Sequence, residues 1–178
     1  MPEQQLEHLS FSVDSDGIGT ILIDVPNRPM NVLGPGLMVD MSQVLDEIRT
    51  DDTVKGVIVT SAKNDFMAGA DLKWLCDTLD KDLTLQQAYA FSEPLNRGFR
   101  QIETLGKPFA AAINGTALGG GLELSLCCHY RVVADNDRIA MGLPEVTVGL
   151  LPGGGGTQRL PRLIGVEKSL PLLLKGTH

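Results

Sequence analysis

Near the start of the chain, hydrophobic and polar positions alternate in a way that predicts a β-hairpin. The apolar stretches 6–13 and 18–25 flank the turn-forming sequence Asp14-Ser15-Asp16-Gly17. Residues 37–48 then place apolar side chains three or four positions apart, which predicts a helix with one buried face. The short apolar run 55–60 (KGVIVT) predicts a strand. Strand, helix and strand in this order favour a βαβ unit with a parallel sheet.

The rest of the chain also predicts alternating helices and strands, and it contains no internal repeat or linker. We therefore expect one α/β domain over residues 1–178. A helical region is predicted over 72–104, with breaks near 80–82 and at Pro94. It is followed by a strand at 107–114, a helix from about Gly120 to Cys127, and strands at 130–134 and 138–141. A helical tail runs from the glycine loop 151–156 to about Lys175, and Pro171 should kink or shorten its last helix.

Composition excludes several function classes. The 178 residues carry a net charge of −7, and only 4% are aromatic, which disfavours nucleic-acid partners. No apolar run approaches the ~20 residues of a membrane span, and no signal peptide is visible. Cys76, Cys127 and Cys128 form no disulfide framework, so we expect reduced thiols and a cytoplasmic location.

Gly119-Gly120-Gly121, followed by Glu123, is the first candidate for chemistry. Three glycines are costly inside a helix but suit its N-terminus, where free N–H groups stabilise negative charge. Glu123 would then place a carboxylate beside a backbone donor. Alternatively, the glycines only permit close packing of helix and sheet. The P-loop and dinucleotide-binding motifs are both absent.

Two further segments indicate a functional site only when they are considered together with the glycine run. The small residues of 66–72 (FMAGADL) expose backbone N–H groups, although the loop could simply connect a strand to a helix capped by Asp71. In Leu143-Pro144-Glu145, proline fixes the backbone before a carboxylate that could equally be an exposed turn residue.

The stretches FMAGADL (66–72), INGTALGGGLELSLCCHYRV (113–132) and GLPEVTVGLLPGGGGTQRLPRLIG (142–165) resemble the enoyl-CoA hydratase/isomerase, or crotonase, superfamily. The resemblance covers nearly the whole chain. It is strongest to the hydratase portion of multifunctional fatty-acid oxidation α-subunits, in which a 3-hydroxyacyl-CoA dehydrogenase follows. The implied fold is a crotonase-like α/β superhelix of repeated ββα units. Relatives continue with further helices, so we expect this chain to stop before them.

The resemblance implies enoyl-CoA hydratase activity in fatty-acid β-oxidation. By resemblance, the backbone N–H groups of Ala68 and Gly120 form an oxyanion hole for the thioester carbonyl. Glu123 activates the water, and Glu145 donates a proton to the α-carbon. The presence of both glutamates favours hydratase over Δ3-Δ2-enoyl-CoA isomerase, which remains an alternative or a side activity.

The resemblance also implies where the acyl-CoA substrate lies. The expected contacts with substrate or coenzyme A are Arg28, Pro29, Met30, Asn31, Val32, Gly69, Ala70, Asp71, Leu72, Lys73, Gly119 and Pro144. Arg28 and Lys73 are candidates for the phosphates. We expect no metal and no separate cofactor, because coenzyme A enters within the substrate. The implied assembly is a homo-oligomer or, in a full-length protein, a fatty-acid oxidation complex with a thiolase subunit.

Competing interpretations carry less weight. Cys127, Cys128 and His129 are adjacent, so on a helix they diverge rather than converge on one metal ion. Ser125 lacks the surrounding sequence of a hydrolase nucleophile. A noncatalytic crotonase-like module that binds RNA is a further alternative, which the acidic charge and the two glutamates disfavour.

Overall fold

The structure is a computed structural model that describes residues 4–79 and 82–177. Within these residues the strands are β1 Gln4–Gln5, β2 Leu9–Val13, β3 Ile18–Ile23, β4 Gly56–Ser61, β5 Phe109–Ile113, β6 Ala117–Leu118, β7 Tyr130–Val133 and β8 Met141–Gly142. The main sheet has the order β1-β2-β3-β4-β5-β7. Strands β1 to β3 are antiparallel neighbours, whereas β3, β4, β5 and β7 run parallel.

The predicted hairpin and βαβ unit are confirmed. In the hairpin turn, Oδ1 of Asp14 accepts hydrogen bonds from the N–H groups of Asp16 (2.9 Å) and Ile18 (2.8 Å). Gly17 adopts a φ of 84°, which favours glycine. Leu9 and Phe11 of β2 are buried, as the alternation of apolar residues requires.

The helices are α1 Pro35–Thr50, α2 Leu72–Leu79, α3 Leu85–Thr104, α4 Gly120–Cys127, α5 Gly156–Ile164 and α6 Val166–Lys175, together with a 3₁₀ helix at Pro144–Val148. The break between α2 and α3 is confirmed, although positions 80 and 81 lie outside the described residues. Helix α3 runs through Pro94, and α6 reaches Lys175 despite Pro171, so neither proline ends its helix. The predicted tail is two helices separated by Gly165, whose φ is 87°.

A second layer lies along the parallel strands. Strands β6 and β8 pair in parallel, and Met67 bridges to Ala117 in β6. The predicted strand over 138–141 was wrong in all but its last residue. Asn136 holds Arg138 and Ile139 in a turn, through its side-chain oxygen and its carbonyl oxygen respectively, so β8 begins only at Met141.

The three segments with candidate chemistry all follow parallel strands. The loop of residues 66–71 follows β4, α4 follows β5 and β6, and the 3₁₀ helix follows β7 and β8. Because the carboxyl ends of parallel strands meet at one edge of a sheet, these segments lie together. Helix α4 is buried along its whole length, which explains why its apolar residues occupy every face.

Candidate functional site

Glu123 is the most deeply buried carboxylate of the site, with only 2% of its surface exposed. It lies in the first turn of α4, whose N-cap Gly119 has φ 52° and ψ −125°. Its Oε1 accepts a hydrogen bond of 2.8 Å from the N–H of Gly156, and the backbone amide of Gly154 favours the ionised form of the carboxylate. A loop that is 31 to 33 residues away in sequence therefore holds this side chain.

Close approach explains the glycines in this loop. A Cβ at Gly154 would lie 2.6 Å from Oε2 of Glu123, and a Cβ at Gly156 would lie 3.0 Å from Oε1. Burial raises the pKa of Glu123, while the two amide donors and the charge of Arg159 offset part of that rise. The site therefore supplies specific support for the ionised form.

Glu145 has a different environment. Its Oε1 lies 3.0 Å from the position that a Cβ of Gly119 would take. Its Oε2 is buried and has no hydrogen-bond partner among the described residues. Burial, with the charge of Glu123 as a smaller contribution, raises the pKa of Glu145 to about 7. Near neutral pH this carboxyl group can hold a proton.

The structure does not support Ala68 as an oxyanion donor, because its N–H already donates to the carbonyl oxygen of Asn31 at 2.9 Å. The N–H of Ala70 has no acceptor within residues 4–79 and 82–177. The N–H of Gly120, at the first position of α4, likewise has no acceptor among the described residues. A Cβ at Gly69 would lie 3.8 Å from the nitrogen of Gly120, so the two chain segments pass close together. The loop was therefore predicted correctly from the sequence, but the N–H group without an acceptor in it is that of Ala70 rather than that of Ala68.

These groups share one apolar cavity of about 310 Å³. Of the predicted substrate contacts, Gly69, Ala70, Leu72, Gly119 and Pro144 line it, together with Ala68, Gly120, Glu123 and Glu145. A polar centre within apolar walls is typical of a small-molecule site. The cavity thus brings together two carboxylates and two free backbone amides.

The other predicted contacts lie outside this lining: Arg28, Pro29, Met30, Asn31, Val32, Asp71 and Lys73. The Asn31 side chain is fully buried and serves the fold rather than a ligand. It donates to Ser61 Oγ at 2.8 Å and accepts from the Val25 N–H at 2.9 Å, with further bonds to two backbone carbonyls.

Asp71 and Arg28 also have partners within the protein. Asp71 caps α2, as the sequence suggested, by accepting from the N–H groups of Lys73 and Trp74. Its second oxygen pairs with Arg28. The acidic side chain therefore has two structural tasks at the start of α2, and part of the Arg28 charge is neutralised.

The stretch 74–100 was expected to shape the pocket for the acyl tail, but the individual residues of the apolar walls were not predicted. These walls are formed by Leu33, Met38, Trp74, Leu75, Phe91, Leu95, Val148, Leu150 and Leu151. Trp74 of α2 and Phe91 of α3 lie with ring centroids 4.8 Å apart. The apolar spacing in these helices was readable, but which faces meet around a cavity is a property of tertiary packing.

No group of metal-ligating side chains occurs in the part of the chain that the structure describes. Burial raises the pKa of the Cys127 and Cys128 thiols, and Nδ1 of His129 accepts from the N–H of Phe109. These residues are therefore structural. Among the described helices, none has the length and apolar character to cross a membrane.

Comparison with known proteins decides the family. The profile of the enoyl-CoA hydratase/isomerase family matches residues 14–178. The chain belongs to this family. Its fold is accordingly crotonase-like, as the sequence motifs implied.

Individual relatives agree with this assignment. The fatty acid oxidation complex subunit alpha of Shewanella amazonensis is 46% identical over 168 residues, which are 94% of this chain and 23% of that protein. An enoyl-CoA hydratase structure from Geobacillus kaustophilus has a TM-score of 0.87 at 32% identity, covering 98% of this chain and 63% of its own. An enoyl-CoA hydratase structure from Bacillus anthracis has a TM-score of 0.80 at 36% identity, and the match covers 93% of this chain and 62% of that one. The chain thus spans about a quarter of the length of the curated relatives it matches.

Proposed function

We propose that this chain is the hydratase part of a fatty-acid oxidation enzyme and adds water to 2-enoyl-CoA to give 3-hydroxyacyl-CoA. The observation that carries the proposal is the pairing of Glu123 and Glu145 in one apolar cavity with two backbone amides that have no acceptor among the described residues. Their surroundings differ in the way that an acid–base pair requires. Two amides and a nearby arginine support the ionised form of Glu123, whereas the pKa of Glu145 is about 7.

The proposed reaction uses each group once. Glu123 accepts a proton from water while the water oxygen bonds to the β-carbon of the enoyl thioester. The electrons of the double bond move towards the thioester carbonyl, whose oxygen gains negative charge. The N–H groups of Ala70 and Gly120 stabilise that charge. Glu145 then donates its proton to the α-carbon, so the product gains the hydroxyl group of the water and the proton of Glu145. Loss of the proton from Glu123 and reprotonation of Glu145, through solvent, restore both groups for the next turnover.

The names of the relatives support this proposal. A fatty acid oxidation complex subunit and solved enoyl-CoA hydratases are similar over almost the whole of this chain. The test is hydration of crotonyl-CoA by the chain, followed as loss of the absorbance of the conjugated thioester. Turnover is expected. Binding of the substrate without turnover would instead favour the noncatalytic alternative.

Double-bond isomerisation is a second candidate activity. The Oε2 of Glu145 favours it, since this atom has no hydrogen-bond partner in the described part of the chain and a carboxyl group with a pKa of about 7 can take a proton from one carbon and return it to another. A 3-enoyl-CoA substrate tests this activity. Formation of the conjugated 2-enoyl product in a Glu123→Gln variant would assign the isomerisation to Glu145.

The proposal extends to the requirements and partners of the enzyme. We propose that it needs no metal or separate cofactor, so hydration should persist after treatment with a chelator and dialysis. We also propose a cytoplasmic location and a homo-oligomer or a complex with a thiolase subunit, since the similar relatives are subunits of a fatty acid oxidation complex. Fractionation of cells and identification of the proteins that co-purify with this one would test these points.

A further inference from the structure

One side chain anchors the loop that holds Glu123. Arg159, in the first turns of α5, donates through Nη1 to the carbonyl oxygen of Gly154 at 2.7 Å. The backbone of the same Gly154 lies against the Glu123 carboxylate, because a Cβ at this residue would come within 2.6 Å of Oε2, and its amide favours the ionised form. The two sides of this residue are therefore occupied at once, by Arg159 on one side and by Glu123 on the other.

Arg159 is in turn fixed by α3. Its Nε and Nη2 donate to the two oxygens of Glu103 at 2.7 and 3.0 Å, which makes a bidentate ion pair. Only 17% of the Arg159 side chain is exposed. Helix α3 contributes a second contact, since the Asn96 side chain donates to the carbonyl oxygen of Gly153 at 3.1 Å. Two successive carbonyl groups of the loop are thus tied to side chains held by α3.

Given the hydratase function proposed above, we propose that Arg159 is a positioning residue for the catalytic base. Through Gly154 and Glu103, it holds loop 153–156 so that the amides of Gly154 and Gly156 orient the Glu123 carboxylate towards the water. Arg159 itself is absent from the cavity lining, so it acts through the loop and not on the reacting atoms.

The charge of Arg159 adds an electrostatic effect, because it lowers the pKa of Glu123 against the effect of burial. The charged and titratable groups around Glu123 are Arg159 from α5, Glu103 from α3, Glu145 from the 3₁₀ helix and the Cys127 thiol from α4 itself. Only Arg159 among them is positive. Its removal should therefore raise the pKa of Glu123, and the base would stay protonated up to a higher pH.

The test compares three variants in hydration of crotonyl-CoA across pH. Arg159→Gln should lower kcat at neutral pH by about 10-fold to 100-fold with a smaller change in KM, because misplacement of a catalytic group acts on the reaction step. The acidic limb of the pH profile of Arg159→Gln should lie about one pH unit higher than that of the unchanged protein. Arg159→Lys keeps the positive charge but cannot make the bidentate ion pair. The acidic limb of its pH profile should therefore lie where it does in the unchanged protein, while its kcat should remain lower.

Arg100→Gln is the matched control, since Arg100 also pairs with Glu103 but is 69% exposed and is not bonded to the loop. It should behave like the unchanged protein. An Arg159→Gln variant that matches Arg100→Gln in kcat and pH profile would overturn the proposal. If Arg159→Gln does not fold, Glu103→Gln takes its place, with a smaller loss of kcat expected and an unchanged kcat overturning the proposal.

A second readout separates this inference from the hydratase function. Titration of the Glu123 carboxyl carbon by NMR, in protein with labelled glutamate, measures its pKa without any turnover. A higher pKa of Glu123 in Arg159→Gln than in Arg100→Gln supports the inference even if crotonyl-CoA is not hydrated. Equal values in the two variants contradict it even if hydration is rapid.

Discussion

The N–H of Gly156 donates a hydrogen bond of 2.8 Å to Oε1 of Glu123, although the two residues are 33 positions apart in the chain. Gly156 begins α5, and Glu123 lies in the first turn of α4. The carboxylate thus accepts a hydrogen bond from the first N–H of another helix, where the helix dipole favours negative charge. This contact offsets part of the rise in the pKa of Glu123 that burial causes.

Replacing Glu123 by glutamine should suppress hydration by about 10²- to 10⁴-fold, because glutamine keeps the size of the side chain but cannot accept the proton. Exchange of the α-proton or a double-bond shift should partly survive. The measurements are crotonyl-CoA hydration and 3-enoyl-CoA isomerisation. Glu167→Gln, at an exposed position on α6, is the control. Near-normal hydration by folded Glu123→Gln would remove Glu123 from the mechanism.

Glu145→Gln should suppress both reactions, since the proton of the α-carbon passes through this residue. The loss should again be about 10²- to 10⁴-fold. The double variant with Glu123→Gln should be little worse than the poorer single variant, because groups that act as a unit are not additive. Retained isomerisation in Glu145→Gln would argue against Glu145 as the group that transfers the proton of the α-carbon.

The pH profile of hydration should be bell-shaped. Glu123 must be ionised to take a proton from water, and burial raises its pKa, so activity should fall on the acidic side at a higher pH than for an ordinary glutamate. Glu145 must be protonated and has a pKa of about 7, so activity should also fall as the pH rises above about 7. In Glu145→Gln the alkaline limb should disappear from the residual activity. A profile that stays flat from about pH 6 to about pH 9, roughly one unit below this pKa to two units above it, would contradict the assignment.

The oxyanion donors can be tested one amide at a time. Gly120→Pro should lower the rate by about 10²- to 10³-fold while the fold survives, because proline is tolerated at the first position of a helix. Gly120→Ala is the control, since it keeps the N–H and its Cβ would approach only a flexible Leu33 side chain, at 3.1 Å. Equal activities for the two variants would show that this N–H is not a donor.

Ala70 and Ala68 are distinguished by replacing the peptide N–H with an ester oxygen at either position. The ester at Ala70 should reduce hydration with little change in stability, because that N–H has no acceptor among the described residues. The ester at Ala68 should instead reduce stability by about 1 kcal/mol, through loss of the bond to Asn31. The reverse pattern would return the donor role to Ala68.

Much of the scaffold could be read from local patterns. The spacing of apolar residues in α1, the turn after β2 and the glycines before α4 each reflect interactions within a few residues, and all three elements formed as predicted. The motifs around Glu123 and Glu145 likewise identified the family. These features are local, so a linear sequence contains them.

Tertiary structure decided which groups of the motifs are available for chemistry. Asn31 was expected to contact the substrate or coenzyme A, yet it is fully buried and its carbonyl oxygen accepts the hydrogen bond from the N–H of Ala68. The glycines at 153–156 read as a turn, yet two of them hold Glu123. The sequence determined the residue types and the order of the elements, because these follow from local propensity and periodicity. Only the packing of distant segments determined the free amides and the protonation of the two glutamates, because burial and hydrogen bonding depend on neighbours that are remote in the chain.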